Sequence, residues 1–382
     1  METLLWLSIG LLVYSYLLYP FVLLVCSKLF NKSKTWCKNA QHLPDITVII
    51  SAFNEQSCIA DRIKNLNHID YPQHKIKLLV GSDGSTDDTN EILLALAKTT
   101  ENLQVELFSQ NRGKMSVLND LIAKATTDIV VMSDANTEFA EDALIELTQP
   151  FVDENIGAVC GELVLYNAGC ERNQDDKYWQ YERFLKKHES NLNALLGANG
   201  AIYAFRKALY VPLAHDTIVD DFQIALHVRK QKQVVVYQQR ALAFEEIAPD
   251  LSAEGQRRVR IGRGNYQAFF RMPWLLNPAN GFLFFSYVSH KVLRWFAPHL
   301  MLIAIVTNVL LATTPFYVAL LALQVLFYVL AFIGINLPTH SIAKQPIIKI
   351  IAFFTAMNVS LLKGFIQYFT TKSSGAWQRT VR

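Results

Sequence analysis

The stretch Ile76-Lys77-Leu78-Leu79-Val80-Gly81-Ser82-Asp83-Gly84-Ser85-Thr86-Asp87-Asp88-Thr89 decides the fold. An apolar run of strand length ends in an acidic, glycine-containing turn, and a helical pattern predicted over Asp87–Lys98 follows at once. The same unit recurs on both sides. Upstream, Ile46–Ser51 runs into Ala52-Phe53-Asn54-Glu55 and a helix over Cys58–Asn67. Downstream, Leu103–Phe108 precedes a helix over Met115–Ala125, and Asp128–Ser133 runs into Asp134-Ala135-Asn136 and a helix over Glu141–Leu147. Ile156–Leu165 is a fifth strand candidate. Alternation of this kind from about Asp45 to Tyr237 predicts an α/β domain with a mostly parallel sheet covered by helices. Ligands of such sheets sit at the carboxyl ends of the strands, where the polar residues fall here.

The two ends of the chain read differently. Of 382 residues, 51% are hydrophobic, with a net charge of +3, and the apolar excess is concentrated outside the middle. Thr3 to Ser27 carries no charge and is long enough for one spanning helix of roughly 20 residues. It has no small-residue cleavage site, so it reads as a retained anchor. Lys28, Lys32, Lys34 and Lys38 follow it, and the positive-inside rule puts them and the middle domain in the cytoplasm. Trp295 to Ala343 lacks Lys, Arg, Asp and Glu and has room for two spans with a turn near Thr313-Thr314-Pro315. Ile347 to Phe369 is a weaker third stretch, interrupted by Lys349 and Lys363. If it spans, the basic tail of Lys372, Arg379 and Arg382 lands outside, against the charge rule. If it only enters the interface, the tail stays inside. The five cysteines form no C-x-x-C pair and read as reduced thiols of a cytosolic domain.

The strand ends hold the candidate chemistry. No G-x-x-x-x-G-K-[ST] or G-x-G-x-x-G follows the first strand. The crevice is acidic instead, which suits a ribose and a metal-bridged diphosphate. Asp134 and Asn136 stand two apart on extended backbone, so both oxygens can reach one Mg2+ or Mn2+, whose shell substrate phosphates would complete. The same two residues would equally serve to turn the chain and cap a helix. Asp83 is placed to accept from a base N–H or a ribose hydroxyl, or it is simply an acidic helix start. Asp220 and Asp221 open a predicted helix, where a carboxylate can deprotonate an acceptor hydroxyl or merely complement the helix dipole. Arg257, Arg258, Arg260 and Arg263 can fork onto phosphate oxygens or onto anionic lipid headgroups. Lys114, in Asn111-Arg112-Gly113-Lys114, is a further candidate for the diphosphate.

Taken in order, these stretches resemble the family-2 inverting glycosyltransferases of GT-A fold, in the membrane-bound branch of cellulose, hyaluronan and poly-N-acetylglucosamine synthases. The likeness runs from about Pro44 to Tyr266 through Val48–Glu55, Ser82–Thr89, Asn111–Lys114, Asp134–Asn136, Gly197-Ala198-Asn199-Gly200-Ala201, Val219-Asp220-Asp221 and the arginine cluster. It implies a GT-A-like cytoplasmic domain over 44–264 behind an anchor at 1–30. After it come an interfacial helical segment at 265–294, a membrane region of two to three spans at 295–371 and a basic tail at 372–382. The implied donor is a nucleotide-sugar, a UDP-sugar for most of the family, held by Ala52, Asn54, Glu55, Asp83, Lys114 and Asp134. Asp134 and Asn136 would hold the cation, Arg257 and Arg260 the diphosphate. Asn199, Gly200 and Asp220 would border the acceptor, and Asp221 would be the general base of a single inverting displacement.

The likeness also implies residence in the plasma (inner) membrane, a glycan or lipid-linked acceptor, and contact with membrane lipid. The chain departs from the family pattern in two places. Asn136 stands where a second Asp is usual, and the Q-x-x-R-W signature matches Arg257-Arg258-Val259-Arg260-Ile261 only at Arg260. The lost Trp leaves processive and single transfer both open, and so few spans leave room for a partner subunit in export. A non-catalytic membrane scaffold with a degenerate transferase domain is the alternative from another class. A small transporter is disfavoured by the lack of intramembrane acids. Nucleic acid is excluded as a partner by the acidic crevice.

Overall fold

The computed structural model describes residues 1–32, 36, 43–166, 177–246 and 251–371. Its described residues fall into two compact units, one of Val25–Ala253 and one of Met1–Leu24 with 254–371. The basic tail expected at 372–382, together with Lys34, Lys38, Cys37 and Cys170, lies outside the described residues. Among the described cysteines Cys26, Cys58 and Cys160 are free thiols.

The first unit is built on an eight-stranded sheet of order β3-β2-β1-β4-β7-β6-β8-β5. The strands are β1 Ile46–Ala52, β2 Ile76–Asp83, β3 Leu103–Phe108, β4 Ile129–Asp134, β5 Glu138–Phe139, β6 Ile156–Tyr166, β7 Tyr203–Arg206 and β8 Val234–Glu246. β1 pairs in parallel with β2 and β4, and β2 with β3. β7 then runs antiparallel between β4 and β6, and β6 pairs in parallel with β8. β1, β2, β3, β4 and β6 fall where apolar runs place them. β5, β7 and β8 were not anticipated.

Side-chain alternation explains why the sheet is covered on both faces. Val48, Ile50, Leu78, Val80 and Val131 feed one buried cluster, while Ile49, Leu79, Val130 and Met132 feed the other. All seven residues of β1 are buried. Each such aliphatic side chain contributes about 1.5–3 kcal/mol on burial, enough to hold the central strands rigid beneath the loops they carry. The register brings those loops to one edge, with Ser51 level with Asp134 and Ala52 level with Ser82.

The second unit holds the apolar helices. Glu2–Leu29, Pro315–Asn336 and Pro346–Thr370 are each long and apolar enough to cross a membrane. Within Trp295–Ala343, where the sequence has room for two spans, the two helices differ. Ala297–Leu311 is only 15 residues long and meets Phe282–Trp295 at a bend of 59°. Pro298 sits in the first turn after the break, where it removes a backbone donor and clashes with the preceding turn. The stretch from Ile347 to Phe369, weak in sequence, lies within one continuous helix of 25 residues on which Lys349 and Lys363 are both exposed. Close packing within this unit centres on Gly364, where a Cβ would come 2.6 Å from the backbone nitrogen of Arg263. Asn308 Nδ2 donates to Gln324 Oε1 at 2.8 Å, joining two neighbouring apolar helices.

Candidate active site

The β1 and β2 loops are laced together. Asn54 takes a left-handed conformation (φ 56°), which presents its amide to the β2 turn. Its Oδ1 accepts from the Thr86 N–H at 2.8 Å, and its own N–H donates to Ser85 Oγ at 3.0 Å. The Glu55 N–H donates to Thr89 Oγ1 at 2.9 Å, and the Glu55 side chain is buried with Cys58 Sγ 3.2 Å from its Oε2. Ala52, Asn54 and Glu55 are thereby brought against the acidic turn, as their strand ends predict.

Asp83 is also a structural tie. It is fully buried, Oδ1 accepts from the Arg112 N–H and Oδ2 from the Gly113 N–H, both at 2.8 Å. The carboxylate thus clamps the loop that delivers Lys114 to the first turn of the helix Lys114–Lys124.

Lys114 is the hub. Its Nζ lies 3.0 Å from Asp134 Oδ1 and 3.8 Å from Asp220 Oδ2. Burial alone would lower its pKa, but Asp134 and then Asp220 outweigh burial and raise it, so the ammonium is held charged. Beneath Asp134, Arg62 Nη2 donates to Ser133 Oγ at 2.8 Å with its guanidinium 4.1 Å from the Phe139 ring centre. Burial lowers the Arg62 pKa to about 9 against the pull of Asp134 and Glu138.

Asp221 follows in the first turn of the helix Asp220–Lys230. Its Oδ1 accepts from the Phe222 N–H at 2.7 Å, while Oδ2 faces Gly200, where a Cβ would come within 3.3 Å. Any side chain at 200 would crowd that oxygen. Burial and then neighbouring Asp220 push the Asp221 pKa up to about 6, opposed by the Phe222 N–H and Lys114. A carboxylate with one oxygen tethered, the other at a side-chain-free surface, and a pKa near neutral has the attributes of a general base.

Asn199 is tied on both sides of its amide. Nδ2 donates to the Gly161 carbonyl at 2.6 Å, and Oδ1 accepts from Lys186 Nζ. Next to Gly161, Glu162 accepts from the Tyr237 hydroxyl and has Arg183 Nε 3.8 Å from its Oε1. Burial pushes its pKa up to about 7, with Lys186 and Arg183 pulling the other way. Sequence reading missed Arg62, Glu162, Lys186 and Tyr237. A charged Glu162 inside an apolar strand was the one available signal.

No cluster of three or more His, Cys, Asp or Glu side chains suited to a metal occurs among the described residues. Asp134 and Asn136 offer one carboxylate and one amide oxygen, a set that fits Mg2+ or Mn2+ only when substrate and water supply the remaining ligands, as is usual for Mg2+. Arg257 and Arg260 lie on the helix Leu251–Arg271, Arg260 being exposed, in the unit that contains the apolar helices.

Residues 47–211 match the family model of Glycosyl transferase family 2. Over those residues the chain is similar to Glycosyl transferase family 2. Among relatives, the chain is 25% identical over 253 residues to the poly-beta-1,6-N-acetyl-D-glucosamine synthase of Staphylococcus epidermidis, covering 65% of this chain and 61% of that one. It is 26% identical over 241 residues to the corresponding synthase of Staphylococcus aureus, covering 61% of this chain and 57% of that one. The match therefore spans about three-fifths of the length of these curated relatives. In fold it is similar to a mannosyltransferase, PcManGT from Pyrobaculum calidifontis, solved in complex with GDP-Man and Mn2+. The TM-score is 0.73 at 21% identity, over 97% of this chain and 99% of that one.

Proposed function

We propose that the chain is a membrane-embedded inverting glycosyltransferase of polysaccharide synthesis, moving a sugar from a nucleotide-sugar to a glycan or lipid-linked acceptor. The observation that carries this reading is Lys114 standing between Asp134 and Asp220, with Asp221 as the next residue. One cation there joins the acid expected beside the donor diphosphate to the acid beside the base.

Asp221 Oδ2 takes the proton of the acceptor hydroxyl approaching over Gly200. The hydroxyl oxygen attacks the anomeric carbon, the bond from that carbon to the diphosphate oxygen breaks, and the configuration inverts. The departing nucleoside diphosphate gains negative charge, which Lys114, freed from Asp134 as the donor enters, is placed to balance. A divalent cation, when bound by Asp134 with Asn136, would neutralise part of the same charge. Asn54 and Glu55 border the nucleotide, and Asp83 fixes the loop bearing Lys114. A UDP-sugar is favoured by the likeness to poly-beta-1,6-N-acetyl-D-glucosamine synthases, whereas the GDP-Man complex supports only the general use of nucleotide-sugars.

The domain faces the cytoplasm of the plasma (inner) membrane, on the charge pattern after the first apolar helix. With Arg260 retained and Ile261 in place of Trp, single and processive transfer both fit, and a partner subunit would serve export. The test is a screen of UDP-N-acetylglucosamine, UDP-glucose, UDP-glucuronate and GDP-mannose on membranes holding the chain, following released nucleoside diphosphate with and without Mg2+ or Mn2+. Release dependent on one donor supports the reading. Neither release nor nucleotide binding with any donor favours the non-catalytic scaffold.

A further inference from the structure

A second polar cluster lies behind the acceptor turn and takes no part in the mechanism above. Helix Lys177–Asn191 presents Arg183 and Lys186, β6 presents Glu162, and β8 presents Tyr237. The register explains the meeting. Cys160 pairs with Tyr237 across the parallel β6–β8 ladder, and an irregularity between Cys160 and Glu162 turns Glu162 toward the Tyr237 hydroxyl. Lys186 Nζ stands 6.0 Å from the Tyr237 ring centre and donates to Asn199 Oδ1.

From Lys186 a continuous path leads to the base. Asn199 is pinned by Lys186 on one side and by the Gly161 carbonyl on the other, and its own carbonyl accepts from the Ile202 N–H at 3.0 Å. Ile202 in turn accepts from the Gly161 N–H at 3.0 Å. Gly200, held inside this closed turn, is the residue that abuts Asp221 Oδ2. The surface against which an acceptor hydroxyl meets the base is thus set by a turn whose one charged anchor is Lys186.

We propose that Lys186 is a positioning residue for glycosyl transfer, fixing the Asn199–Gly200 turn against Asp221 Oδ2, with Glu162, Arg183 and Tyr237 holding the lysine in place. The inference rests on Asp221 being the base, and it assigns the acceptor side of the reaction, not the donor side, to this cluster. An amine on a four-carbon stem suits the task, because it reaches a single amide oxygen as a point donor.

The test uses the full chain in membranes with the donor identified by the screen. Lys186→Met is expected to lower the rate of diphosphate release at saturating donor by roughly tenfold or more, the scale expected when reacting groups are misplaced by about an ångström. The donor KM, and UDP affinity measured by calorimetry with Mn2+, should stay within about twofold, because the donor loops lie on other strands. Lys186→Arg should recover part of the rate. Asn199→Ala should reproduce the same split, and the double variant should be no slower than the slower single, since both remove one path. A rate in Lys186→Met within about twofold of wild type overturns the proposal, as does a parallel loss of UDP affinity or a multiplicative double variant. If Lys186→Met does not fold, Asn199→Ala carries the same comparison. Wild-type chain that binds UDP but releases diphosphate from no donor refutes the reaction itself, and is told apart by failing before any variant is compared.

Discussion

The Lys114 ammonium lies 3.0 Å from the Asp134 carboxylate, with only 27% and 33% of the two side chains exposed to solvent. These residues are 20 positions apart on different elements, and the contact exists because Asp83 clamps the loop just ahead of Lys114. The bridge marks where negative charge is expected to arrive with a donor. It also keeps three acids, Asp134, Asp220 and Asp221, within reach of one cation.

Lys114→Met is expected to raise the donor KM by on the order of tenfold, because a charge-assisted contact to phosphate is lost. It should also move the acid limb of the rate profile upward, since Lys114 lowers the Asp221 pKa. Initial rates against donor concentration at several pH values check both. An unchanged acid limb would separate Lys114 from the base.

The pH dependence follows from Asp221 itself. Its folded pKa is raised above the ordinary carboxylate range to about 6, so the proton-accepting form is present above that pH and is lost as pH falls through it. The rate should therefore drop about tenfold per pH unit below the limb. The stability sign is opposite to that of a salt-bridged acid. Ionised Asp221 costs folding free energy above the unfolded pKa. Asp221→Asn should then leave Tm unchanged or raise it, as a thermal scan at pH 7 would report.

Asp83→Ala tests a structural role. It leaves the Arg112 and Gly113 N–H groups without their carboxylate partner in a buried setting. Losing charge-assisted bonds of this kind costs on the order of 3 kcal/mol, and the loop carrying Lys114 should loosen. The expected result is a lower Tm together with weaker UDP binding. Weaker binding at unchanged Tm would instead assign Asp83 to direct nucleotide contact.

The membrane unit makes a topological prediction. The 59° bend at Phe296 argues that Phe282–Leu311 enters and leaves on one side, leaving three spanning helices. With the N-terminus outside, three crossings place the basic C-terminal end in the cytoplasm, in agreement with the charge rule. A reporter fused after Arg382 should be active only if it is of the cytoplasmic type. Periplasmic or extracellular activity would require the bent pair to cross.

Much of the site was legible because it sits at strand ends. Ala52, Asn54, Glu55, Asp134 and Asn136 follow apolar runs whose burial on both faces left no other reading than central parallel strands. β7 was hidden by its length of four residues, and β8 by the exposed Gln239-Arg240 step that interrupts its apolar pattern. Lys186 was invisible, and Glu162 was signalled only by its charge within an apolar strand, for a different reason. Their partners, Tyr237 and Asn199, are set by the irregular β6–β8 register and by a helix–turn contact, and neither leaves a period in the sequence. The tie that Asp83 makes to the loop ahead of Lys114 was not legible, because its partners are backbone N–H groups that no side-chain pattern reveals.

The most direct test of the central claim compares wild type with Asp221→Asn, measuring diphosphate release from the active nucleotide-sugar alongside UDP binding with Mn2+. The account predicts that release falls by at least about a thousandfold, at the upper end of what a general base contributes, while UDP affinity is retained. Wild-type release by Asp221→Asn would contradict it.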